Sequence, residues 1–594
     1  MPSTNTASSK LAASSLKPSG QVKPISISET KIEIIKIMKK QLLTLLVLMM
    51  LPLLVDANGV QIDGIYYELN QEEKTAMVTF RDFNEGNTDA YTGTLNIPST
   101  IKYNGEEFSV TSIGKEAFNY CYNLLSISIP SSITYIAGNT FEKTGWYNNQ
   151  PNGIVYLDNW VINYKGEKPT GSITLTEGTR GIAELAFEGC ENMTKITIPK
   201  SVKYIGARSF EGCSYLTSVT IPDGVTSIKG GTFLGCSSLT TIALPNSVTS
   251  IESTCTVAPW TYGAFRGCSS LNSVSLGENL KTIGADAFSG CTSLSSLSIP
   301  EKVTTIESYA FYECSNLSTI TIPSSVASIG HYAFSGCNKL NSVHISDIGA
   351  WCKISFDYGE QNNPLSFAHH LYLGEEEIKD LVIPNTVTSL GYNSFNGCSG
   401  LISATIPETV TSIGDYAFAN CGNLKTIYIA NNVNTIGENA FENCSKVETI
   451  NLPKELQIVK KAMFKSCYSL KSVVIPAKVE FIYQEAFAYC DGLESIKLFS
   501  PTPPISYNNT FTNYNAKLSV PAESINAYKS ADVWKNFKSI VALTDQETSI
   551  TGIHQDNNKE DSFFTLDGKQ LESPRKGVNI IRASNGKTKK VVIK

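Results

Sequence analysis

Phenylalanine returns every 23 residues along most of this chain. It stands at 187, 210 and 233, at 265, 288, 311 and 334, and at 395, 418, 441, 464 and 487. Phe118 and Phe141 keep the same step, and the gap from 141 to 187 is twice it. Self-similarity at a period of about 20–50 residues is the mark of a stacked solenoid. The 594 residues therefore do not divide into separate domains of about 150 each.

One unit, counted from Phe210, shows why the repeats must stack. Cys213 falls at +3, Leu216 at +6, Val219 at +9, Ile221 at +11 and Pro222 at +12. Val225 follows at +15 and Ile228 at +18. Leu216–Ile221 alternates apolar and polar residues, as a half-buried strand does. Pro222 has no N–H for a ladder and ends that strand. Val225 and Ile228 carry the chain along the opposite wall. Phe210 and Cys213 are spaced for a short helical turn, and the residue before the phenylalanine is usually alanine, as at Ala310 and Ala333. Three apolar faces per coil cannot be buried by one coil alone.

The pattern L-x-x-I-x-I-P-x-x-V-x-x-I-G-x-x-A-F-x-x-C stands almost whole at Leu317–Cys337 and Leu401–Cys421. It resembles the leucine-rich repeat of BspA-like surface proteins, common in bacteria of the Bacteroidetes group. The resemblance implies a mainly β solenoid with short helical turns. The expected count is about 16 coils, with a cap at either end and a small C-terminal β tail. It also implies a binding scaffold exposed at the cell surface.

Thirteen of the fifteen cysteines sit at the +3 position, Cys291, Cys314 and Cys421 among them. One equivalent cysteine per coil offers no unique disulfide pairing, and a free thiol packs as a small hydrophobe. Phe210–Cys213, Phe288–Cys291, Phe311–Cys314 and Phe418–Cys421 are thus expected as rungs of a reduced core ladder. Cys255 and Cys352 lie off the ladder, where the repeat is interrupted.

Three stretches break the period: Trp146–Tyr164, Glu252–Trp260 and roughly Ser346–Leu371. Four of the five tryptophans, Trp146, Trp160, Trp260 and Trp351, fall in them. Loops on a rigid scaffold tend to carry binding residues, and Trp and Tyr are enriched in hot spots. Candidate partner contacts are Trp351, Phe356, Tyr358, His369 and His370, with Trp260, Tyr262, Trp146 and Trp160. The alternative is that each ring tucks its own loop onto the solenoid.

The outward strand position +8 is a second candidate. Twelve of its fourteen occupants are Ser or Thr, including Ser218, Thr241, Ser273 and Ser296. Stacked hydroxyls suit cross-strand hydrogen bonds. Left free, they make a long, nearly uncharged surface for an extended protein or glycan.

At the N-terminus, Met38-Lys39-Lys40 precedes an apolar run from Leu42 to Val55, and Val55-Asp56-Ala57 offers a cleavage site. That is the layout of a secretory signal peptide, and the run is too short to span a bilayer. Residues 38–57 are assigned to it, and 1–37 to an upstream extension before the expected start at Met38. Residues 58–107 read as the N-terminal cap, 108–500 as the solenoid and 501–543 as the C-terminal cap. In that last cap, Tyr528, Trp534 and Phe537 on a helix over Ser524–Lys538 are available to cover the last coil. A polar linker, 544–561, leads to a tail, 562–594. The tail resembles the C-terminal sorting segments of exported Bacteroidetes proteins.

Charged residues are 17% of the chain and the net charge is −6, so it carries no footprint for nucleic acid. Phosphate loops, nucleophile elbows and H-E-x-x-H are absent from the sequence, and His369-His370 on a strand would point to opposite sides. The chain is read as a non-enzyme with no cofactor or metal, and with no transmembrane span after signal removal. Its expected partners are extracellular proteins or glycans. The leading function is a secreted or surface adhesin contacting host matrix or other cells. The alternatives are a secreted glycan-binding module and a ligand-free envelope spacer.

Overall fold

The computed structural model describes residues 59–81, 90–257, 260–356 and 362–544, without the side chains of 254–261. It also describes the backbone of four strands between 562 and 593. Residues 1–58 and the linker from 545 to 561 lie outside the described residues. Contacts divide the chain into Met1–Val60 and Gln61–Lys594, and the solenoid belongs to the second unit.

Each coil gives one strand to a parallel file, because the alternating segment repeats in every coil at the same register. Thr241 pairs with Ser273, Ser296 with Thr319 and Thr319 in turn with Ser342, and Thr449 with Ser472 and Ser472 in turn with Ser495. A second parallel file forms at the V-x-x-I segment and runs through six coils from Ser227–Ile228 to Ser355–Phe356. Between the files the phenylalanines form a column. From Phe187 to Phe334 and from Phe395 to Phe511, successive rings are 5.2–5.6 Å apart and within 17° of parallel. All thirteen ladder cysteines are buried and unpaired by disulfides.

The segment around each phenylalanine is not helical. Arg208 and Gly212 flank Phe210 with φ of 54° and 70°. A left-handed residue on either side breaks a right-handed helix into consecutive turns. The alanine before the phenylalanine therefore reflects space and not helix propensity: Ala310 and Ala333 are fully buried. Short α-helices occur instead in the interruptions, at Gly145–Asn148, Ile348–Trp351 and Leu365–Ala368.

The coils continue past Ser500. Phe511 stacks on Phe487, and Lys517–Val520 and Ser539–Ala542 extend the strand file. The solenoid has about 18 turns. The expected closing helix is split by Val533 at φ 69° into Ile525–Ser530 and a 3-10 turn at Trp534–Asn536. Its aromatic side chains still cover the end. Trp534 Nε1 donates to Pro504 O at 2.8 Å, Tyr528 Oη to Ser500 O at 2.9 Å, and Phe537 packs edge-on to Phe511. At the other end, Ile65–Asn70 and Thr75–Val78 form a hairpin that pairs onto Glu106–Ile113. The tail strands Ser562–Phe564, Gln570–Leu571, Gly577–Arg582 and Thr588–Ile593 form an antiparallel sheet.

Candidate functional site

The strand face is built by the +8 side chains, which the alternation turns outward. Lys195, Ser218, Thr241 and Ser273 are in direct register on four successive strands. Ser218, Thr241, Ser273 and Ser296 are exposed. The expected hydroxyl-to-hydroxyl ladder does not form there. The bonded hydroxyls are one residue earlier: Thr217 and Thr240 donate to the carbonyls of Thr194 and Thr217, at 3.1 and 3.3 Å. The +8 hydroxyls of Ser218, Thr241, Ser273 and Ser296 bond to no protein group, so their donors and acceptors face solvent. The +10 column adds exposed side chains on later coils, with Val382 60% and Tyr428 51% exposed. His344 and Tyr372 stack there at 4.7 Å.

The interruptions behave differently. Trp351 is 1% exposed and its Nε1 donates to Ser394 O at 2.8 Å. Phe356 is buried beside it, edge-on at 5.7 Å, and Ser355–Phe356 keeps the second strand file in register with Ser328–Ile329. The expanded coil thus packs Trp351 and Phe356 inward. A partner cannot reach Trp351 or Phe356 without unfolding that coil. Trp146, 9% exposed, sits edge-on against Phe141 at 5.2 Å and likewise belongs to the core. His369 and His370 precede the strand Leu371–Leu373 and are not on it. His369 is an exposed helix cap at φ 64°, and the Nδ1 of His370 lies 2.6 Å from Glu377 Oε1. That contact, with Lys379, holds the Glu377 carboxyl below its ordinary value. Trp260 lies on the hairpin Ser253–Val257 and Trp260–Gly263, but its side chain, like Tyr358, is outside the described residues. Tyr262 is half-buried under the Arg208 guanidinium, 5.1 Å from its ring centre.

Trp160 leads to a place that residue spacing did not reveal. It is 3% exposed and pairs in register with Gly181, which pairs with Tyr204. Gly181 is required there, since a Cβ would lie 2.5 Å from Cζ3 of the indole. The Trp160 and Tyr204 rings meet at 5.7 Å, and Tyr135 meets Tyr204 edge-on at 5.8 Å. These rings floor a groove of 690 Å³ on the second wall. The +17 position of that wall is Ser or Thr in coil after coil, as at Ser227, Ser250, Thr282 and Thr305. Tyr135 and Tyr204 are its aromatic exceptions near the N-terminal end, and that was the available signal. No helix among the described residues is long and apolar enough to cross a membrane.

Comparison with known proteins agrees with this architecture. Residues 84–158, 163–257, 261–358 and 367–494 match the BspA type Leucine rich repeat region (6 copies). A leucine-rich repeat protein from Bacteroides ovatus is 25% identical over 78% of this chain and 99% of its own, with a TM-score of 0.40. A leucine rich cell surface protein from Faecalibacterium prausnitzii is 24% identical over 74% and 94%, with a TM-score of 0.29. The pneumococcal vaccine antigen PcpA is 18% identical over 82% and 99%, with a TM-score of 0.35. No curated protein matches the chain. With two-thirds of its length matched by the repeat, the chain belongs to the BspA-type leucine-rich repeat family.

Proposed function

We propose that the chain is an exported surface scaffold that binds another protein along its strand face, in contact with host matrix or another cell. The observation that carries this reading is the column Ser218, Thr241, Ser273 and Ser296. It is exposed, uncharged and without internal hydrogen bonds, so a partner gains those bonds without breaking any within the protein. The main chain beneath is fixed by the inter-coil ladder, which limits the ordering cost of binding. The apolar run Leu42–Val55 after Met38-Lys39-Lys40 supports export, with cleavage after Ala57. The C-terminal strands are the proposed sorting segment.

Protease shaving of intact cells tests the location. The protein should be degraded while a cytosolic marker stays whole. Survival until the cells are lysed would refute surface exposure.

A further inference from the structure

The groove beside Trp160 carries charge that the protein does not neutralise. Arg180 and Lys203 stand just before the adjacent strands Gly181–Ile182 and Tyr204–Ile205, with Lys203 N–H donating to Arg180 O at 2.8 Å. Arg180 uses one guanidinium nitrogen, Nη2, on Ser131 O at 2.7 Å. Lys203 Nζ donates to the main-chain oxygen of Asp223 at 3.1 Å. Neither cation pairs with a carboxylate among the described residues. Their neighbours do: Lys229 pairs with Glu252 at 2.8 Å, and Arg208 with Glu188 at 3.1 Å.

The two acids that line the groove are already committed, Glu252 to Lys229 and Glu184 within the wall. Glu184 accepts from Tyr135 Oη at 3.0 Å and from Gly138 N–H at 3.2 Å. Burial raises its carboxyl above the ordinary value. Tyr204 is mostly buried, yet its hydroxyl bonds to no protein group, and it lines the groove. Thr134, Thr226 and Ser227 add hydroxyls at the rim.

We propose that this groove binds an acidic saccharide, with its anionic group on Arg180 and Lys203 and a sugar ring against Tyr204 and Tyr135. Three features favour a sugar. The volume of 690 Å³ lies within the range of small-ligand sites, about 300–1,000 Å³. Aromatic rings offer flat apolar faces to the C–H side of a pyranose, while the rim hydroxyls meet its OH groups. The main chain of this wall is consumed by inter-coil bonds, such as Gly206 N–H to Ile182 O at 2.9 Å, so an extended peptide finds no strand edge to join. Two uncompensated cations choose an anionic sugar over a neutral one. The site is separate from the strand face and stands or falls without it.

Calorimetry on the full chain tests the proposal with four probes: tetragalacturonate, a heparin tetrasaccharide, neutral maltotetraose and a poly-glutamate peptide. At least one acidic probe should bind at least about tenfold more tightly than maltotetraose, a 1.4 kcal/mol preference. The acidic pair separates carboxylate from sulfate as the recognised group. Raising salt from about 50 to 300 mM should weaken the acidic probe and leave maltotetraose unchanged. Arg180→Gln and Lys203→Gln should each weaken it at least about fivefold, and Tyr204→Phe should weaken it with an unchanged melting temperature. Lys203 is exposed, so Lys203→Gln carries the test if another variant fails to fold. Equal affinity for acidic and neutral sugars, no binding of either acid, or wild-type affinity in Lys203→Gln would overturn the proposal. Binding of a poly-glutamate peptide in place of both acidic sugars would also overturn it.

Discussion

The thiol of Cys314 donates to the carbonyl oxygen of Phe288, 3.1 Å away and one coil back. The same oxygen accepts Cys291 N–H at 3.0 Å, so both of its lone pairs are used. The contact recurs at ten cysteines with distances of 3.1–3.3 Å. Each rung ties one coil to the last through a weak bond that a disulfide would destroy. Native protein should therefore resist alkylation at the +3 cysteines. After denaturation without reductant, mass spectrometry should find all thirteen labelled. Protection of most of them would contradict the ladder.

Burial pushes these thiols up, Cys190 to about 11 and Cys337 and Cys444 to about 12. An unfolded thiol titrates near about 8.5. A group raised in the fold stabilises it fully below the unfolded value and loses that contribution as pH climbs toward the folded one. The urea midpoint should be flat from pH 6 to 8. Above about 8.5 it should fall, as the unfolding free energy drops by up to about 1.4 kcal/mol per pH unit for each such thiol. Equal midpoints at pH 7 and pH 10 would contradict this.

Phe311 is fully buried between Phe288 and Phe334, at 5.6 and 5.2 Å. Phe311→Ala should cost about 3–5 kcal/mol in denaturant unfolding, as for other large buried aromatics. A cost below about 1 kcal/mol would remove the phenylalanine column from the core.

Trp351→Phe removes the donor to Ser394 O, which keeps its bond from Asn363 Nδ2 at 3.1 Å. The variant should lose about 1–3 kcal/mol of stability. Its affinity for the strand-face partner should stay as in the wild type. A folded variant with tenfold weaker binding would restore Trp351 as an anchor.

Gly181→Ala places a methyl against the Trp160 indole. The ring must move, so tryptophan emission should shift red and the groove probe should bind more weakly. Unchanged emission and affinity would show that the close approach at Gly181 does not hold the ring.

The repeat was legible because its core positions, such as Phe311 and Cys314, are fixed by spacing alone. Turn conformation was not, since the left-handed backbone at Arg208 leaves no mark in a side chain that also suits helices. Phe511 was missed because it follows Phe487 by 24 residues and has Tyr514 where a cysteine is expected. Trp351 could not be placed from sequence, because an added helix decides which way the ring turns. The groove was hidden for a geometric reason. Trp160 pairs with Gly181 across 21 residues, a two-residue departure from the period made by the bulged hairpin Gly153–Leu157 and Trp160–Lys165.

The strand face is the centre of this account, and binding tests it most directly. Thr241→Arg, Ser273→Glu and Ser296→Arg together replace three exposed hydroxyls with long side chains of alternating charge, and positions 241 and 273 are paired in register across strands. Purified wild-type and triple-variant proteins should be titrated onto a panel of immobilised matrix proteins. The wild type should bind at least one of them. The variant should keep the same melting temperature and bind that protein at least about tenfold more weakly, a loss of about 1.4 kcal/mol. Equal binding by the two proteins, or no binding by the wild type to any of the panel, would contradict the account.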